Sequence, residues 1–150
     1  MVSHTKTRRL IYSGKLAAIV YAETMLNGNN SAYARQSRLF LRQAREELAQ
    51  DDLRQASEKG WGAAAQIVKA AAEQRGLDHK AHADLFSCVR SLMAETDDES
   101  LVLLFNAAGQ LHINFYEGYY GHREIELNLG QVAQFVDKVE ALLARPNGSP

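Results

Sequence analysis

The chain has 150 residues, 46% of them hydrophobic and 23% charged, with a formal net charge of −1. That length suits one domain with a core that needs no covalent staple, and the near-neutral balance excludes nucleic-acid binding driven by overall charge. A single cysteine, Cys88, excludes a disulfide framework and a cysteine zinc site.

No window reaches the roughly 18 apolar residues of a membrane span, and the opening residues lack the apolar run of a signal peptide. The expectation is a soluble, cytoplasmic protein. The only two prolines, Pro146 and Pro150, sit at the end of the chain, so no proline interrupts a helix before residue 146.

In chain order, the first candidate helix runs from Arg8 to Leu26, with Ile11, Ala18, Ala22 and Met25 on one face. A turn, Asn27 to Ser31, comes next, with Ser31 placed to cap the second helix. That second candidate, Ala32 to Gln50, carries Tyr33, Phe40, Leu41, Ala44 and Leu48 as an apolar stripe. Asp52 and Gln55 have the spacing of a capping box and open a third helix, Leu53 to Arg75, closed by Gly76. Gly60 and Gly62 flank Trp61 inside it. Each glycine costs about 1 kcal/mol against alanine there, a cost that close approach of a neighbouring helix explains. Asp78 is placed to cap a fourth helix, His79 to Ala94, and Asp97 or Asp98 a fifth, Glu99 to Glu117. After the break at "GYYGH" comes a last helix ending near Arg145, its start set by Asn128 and Gln131 if their capping-box spacing is used. No segment alternates as a strand does. Short links between amphipathic helices predict an all-α fold, an up-down antiparallel helical bundle. Residues 1–30 would form an added N-terminal helix and 146–150 a disordered tail.

Three stretches in and after the third helix, "EKGWGAA" (Glu58 to Ala64), then "RGL" with histidines, then "LHINFYEG" (Leu111 to Gly118), resemble the HEPN superfamily and most closely its PaREP-like branch. The likeness covers roughly Leu41 to Leu143. It implies a bundle of up to five core helices, often a homodimer, tied to nucleotide or RNA binding and to small nucleotidyltransferase partners. In some branches it implies RNA cleavage of a toxin-like kind. Ribonuclease members carry an arginine, four to six spacer residues and a histidine. Arg75 and His82, separated by "GLDHKA", match that spacing but span the link between two earlier helices, whereas the family's motif belongs with a later one.

The residues themselves support a short list of sites. An arginine fork can hold a phosphate and a histidine can move a proton near neutral pH, so Arg75 and His82 are the catalytic candidates, with His79 beside them. The competing reading makes Arg75 a helix-end cation and the histidines first-turn polar residues. His112 falls amid Leu101, Leu104, Phe105, Ala108, Phe115 and Tyr116 on a helical wheel, with Asn114 and Glu117 off that stripe. It is either a core histidine with both ring nitrogens satisfied or the wall of a pocket with Trp61, Lys69, Asn114, Tyr116 and Glu117. Trp61 is either core or a base-stacking platform. Arg35, Arg38, Arg42 and Arg45 fall within about 80° on the second helix, forming either a solvated face or a track for phosphates. No metal ligand set has the right spacing, and no cofactor is expected.

These residues support three functional expectations. The first is a HEPN-like module, without established catalysis, that binds a nucleotide, RNA or protein partner. The second is a metal-independent ribonuclease built on Arg75 and His82. The third is a structural dimer, suggested by Val102, Leu103 and Ile113 lying off the main stripe of their helix.

Overall fold

The computed structural model describes residues 31–145. The expected helix at Arg8 to Leu26, with Arg8 and Arg9, lies outside the described residues, as does the expected tail at 146–150.

Five helices form: α1 (Ala32–Ala49), α2 (Leu53–Gln74), α3 (His82–Thr96), α4 (Ser100–Glu117) and α5 (His122–Leu143). The described residues contain no strand, and no helix among them is long and apolar enough to cross a membrane. The fold is an all-α helical bundle.

Several ends obey the sequence signals. Ser31 Oγ accepts from Ala34 N at 3.0 Å, and Asp52 Oδ1 accepts from Gln55 N at 3.1 Å. Past α2, Gly76 takes φ +66°, and the Leu77 N–H reaches back to the Ala72 carbonyl at 2.8 Å. That is the left-handed helix stop glycine favours. Asp98 Oδ1 accepts from Ser100 N at the start of α4.

Two starts differ from expectation. α3 begins at His82, not His79, and α5 at His122, not at the capping-box spacing of Asn128 and Gln131. The preceding residues, Ala81 and Gly121, have no side-chain acceptor. The acid three positions on reaches back instead: Asp84 Oδ2 accepts from Ala81 N at 2.9 Å, and Glu124 Oε1 from Gly121 N at 3.0 Å. This is half of a capping box, with a carboxylate at the positive end of the helix. Asn128 bonds back to the Glu124 carbonyl inside α5 and caps nothing.

α2 touches every other helix. Its buried face includes Trp61, Ile67, Val68 and the alanines 63–65 and 70–72. A Cβ on Gly60 would lie 2.7 Å from both Leu111 Cδ1 of α4 and Leu129 Cδ2 of α5, and one on Gly62 2.9 Å from Phe40 Cδ2 of α1. Three helices therefore close on the hydrogens of these two glycines, which accounts for their presence in a helix interior.

Antiparallel neighbours hold for α1 and α4 against α2. Ser37 Oγ donates to the Ala63 carbonyl, and Asn114 sits beside Ser57. α3 departs from this alternation. His82 lies against Trp61, Cys88 against Val68 and Glu95 against Arg75, so α3 runs in the same sense as α2. The six-residue link 76–81 is irregular. Extended, the seven steps from Arg75 to His82 span at most about 25 Å, enough to travel back along the roughly 21 Å of helix between Arg75 and Trp61.

Candidate functional site

The parallel course of α3 makes a seam with two different ends. At the upper end, Arg75 closes α2. Its Nε and Nη2 donate to Glu95 Oε1 and Oε2 at 2.9 and 2.7 Å, and its Nη1 donates to Gln74 Oε1 at 2.8 Å. Gln74 in turn donates to the Leu143 carbonyl of α5. The Arg75 fork ties three helices together, and its pull holds the Glu95 carboxyl below its ordinary value.

At the lower end, a pocket of about 380 Å³ opens between α2, α3 and α4. Trp61 is its inner wall. The His112 ring stacks on the indole at 4.8 Å between centroids, and His82 meets both edge-on, at 5.2 Å from Trp61 and 4.9 Å from His112. Phe86 forms the floor, while Asn106, Gln110 and Ile113 line the rim. Gly109 keeps the α4 backbone bare in the middle. A Cβ there would meet only Phe86 Cζ, at 3.8 Å. Tyr120 Oη donates to Gln110 Oε1 at 3.2 Å, which leaves the Gln110 amide nitrogen as a donor for anything in the pocket.

His112 is half-buried. Burial first, then the neighbouring His82, push its pKa below the ordinary 6.5, and Glu58 opposes them. A neutral imidazole is favoured there. His112 packs within the aromatic cluster and lines the pocket.

The structure does not bring Arg75 and His82 together. Arg75 holds Glu95, thirteen positions along α3 from His82, which is about 20 Å of helix. His79 packs edge-on against Tyr33 of α1 at 5.5 Å and is not in the pocket lining. Lys69 lies eight positions along α2 from Trp61, about 12 Å away. Tyr116 packs on His112 at 5.4 Å and is 67% exposed. Glu117 ends α4, exposed.

Asn114 corrects the wheel. It is 1% exposed, not outside the packed face. Its Nδ2 donates to Ser57 Oγ at 2.9 Å, and its Oδ1 accepts from Tyr120 N at 2.8 Å. Ser57 Oγ donates onward to the Leu53 carbonyl. Asn114 thus fixes α4 to α2 and shapes the turn into α5. It is a brace between helices. The basic face on α1 is also partly committed internally. Arg38 Nη2 donates to Asp137 at 2.7 Å and Nε to Glu140 at 2.7 Å, both on α5. Asn106, Phe86, Gly109 and Gln110 escaped the sequence reading. The signal for the two amides was present: they stand four apart on α4, one turn from each other on the same face.

A family model described as "Archaeal PaREP1/PaREP8 family" matches residues 32–136. No curated protein and no solved structure matches the chain.

Proposed function

The chain belongs to the archaeal PaREP1/PaREP8 family, and from that premise we propose that it is a HEPN-type binding module without catalysis, holding a nucleotide or an RNA end in the pocket between α2, α3 and α4. The observation that carries this reading is the convergence of four aromatic or imidazole rings with two amide side chains around one open cavity of about 380 Å³. Small-molecule sites share this size and this mixture of apolar walls with a few polar groups. Ring faces accept the flat surface of any base.

The cleavage reading draws no support from the geometry, because Arg75 is spent on Glu95 at the far end of α3. We read the module as a homodimer that uses the exposed Leu103 of α4, in a helix with no charged residue between Ser100 and Glu117; Ile113 stays with the pocket rim, so the partner would sit beside the pocket mouth rather than over it.

Trp61 is the only tryptophan in the chain, so its emission reports on the pocket wall. Titration with mononucleotides and short single-stranded RNA is expected to change that emission saturably and to raise Tm. A flat response up to millimolar concentrations would end the proposal. Light scattering that gives a monomer at micromolar concentration would remove the dimer.

A further inference from the structure

We infer that the pocket selects the base alone: its ligand class is an uncharged, planar nitrogen heterocycle with a donor beside an acceptor, as on adenine, and any phosphate stays outside. The inference rests on the proposed nucleotide-binding role and narrows it.

The first argument is charge. None of the eight lining residues is a lysine, arginine, aspartate or glutamate. Two cations on α2 are turned to other work. Lys59 Nζ sits 4.7 Å over the Phe40 ring, and Arg54 donates to the Phe115 carbonyl. The positive end of α3 could hold an anion, but Asp84 already accepts from Ala81 N there. The two imidazoles do not replace a cation. Their centroids are 4.9 Å apart, so charging both sets like charges against each other.

The second argument is hydrogen bonding. Asn106 and Gln110 stand four apart on α4, on the same rim. Gln110 has its oxygen engaged by Tyr120 and offers a donor. Asn106 is exposed and brings both an amide oxygen and an amide nitrogen. Side-chain amides pair with a base edge that shows a donor next to an acceptor, and adenine shows one. The third argument is space. The cavity of about 380 Å³ beside Phe86 and Gly109 is large enough for a flat ring, and a side chain at Gly109 would grow into it.

The test compares adenosine, AMP, ATP and inorganic phosphate by Trp61 emission at pH 8. Adenosine, AMP and ATP are expected to bind within about threefold of one another, and phosphate to give no change. Asn106→Ala and Gln110→Ala should each weaken adenosine binding about tenfold with Tm unchanged. Gly109→Leu should abolish binding while leaving Tm unchanged or higher, since leucine favours a helix over glycine. ATP binding tenfold or more tighter than adenosine, or a response to phosphate alone, overturns the base-only inference and leaves the binding role standing. Silence from all nucleotides and from RNA overturns both.

Discussion

The two ends of the α2–α3 seam use similar residue types to opposite ends. At the upper end a charged fork, a carboxylate and an amide satisfy one another, and Arg75 spends its donors inside the fold. At the lower end, imidazoles and amides face a cavity whose walls are rings. Polar groups that find partners inside the chain build the bundle, whereas polar groups gathered round an empty space can recognise something else. The sequence spacing of Arg75 and His82 suggests that these ends meet. The parallel course of α3 separates them in space.

The largest expected effect comes from the brace that holds α4, and with it His112, in place. Asn114→Leu leaves the Tyr120 N–H and the Ser57 hydroxyl without their buried partner, which costs about 2–3 kcal/mol. Chemical denaturation should read that loss, and binding should weaken with it. Arg75→Ala removes the upper clasp and should cost about 1 kcal/mol, since Glu95 is partly exposed. It should leave the pocket untouched. RNA incubated in EDTA should survive equally with wild type, Arg75→Ala and His82→Ala; cleavage lost in both variants would restore the enzyme reading.

The two ends should also part company in acid. His112 has a folded pKa below 6.5, so its neutral form contributes stability that is complete above about pH 6.5 and declines as pH falls below it. Glu95 has a folded pKa below 4.5. Its contribution is present above that value and is lost as pH falls further. Denaturant midpoints should therefore fall in two windows, and His112→Gln should remove only the upper one. A single window near pH 4 in wild type would contradict this. The smallest effect concerns the middle of the seam. Burial pushes the Cys88 thiol up to about 11, so a thiol reagent at pH 8 should label the native chain slowly and the denatured chain at once.

The helices were largely legible in the sequence because their signals are local. Ser31, Asp52 and Gly76 act within one turn of where they stand, and Gly60 and Gly62 announced a close approach by their cost. The start of α5 was misplaced because its cap residue is Gly121, whose side chain cannot accept; the readable mark was Glu124 three positions on. The site was less legible. Asn114 looked peripheral because an apolar wheel gives a buried amide no weight, and its partners lie on α2 and beyond the turn. Arg75 looked catalytic because spacing along the chain says nothing about helix direction. The shared seam of α2 and α3 depends on how the 76–81 link runs, and its residues carry no strong directional signal.

The most direct test of the seam is one comparison of Trp61 emission. AMP should be titrated into wild type and Arg75→Ala under conditions where both are folded. A common Kd is expected, because the proposed nucleotide site lies at the open end and Arg75 locks the other. No response in wild type, or a Kd weakened tenfold or more in folded Arg75→Ala, would contradict the division of the seam into a clasp and a pocket.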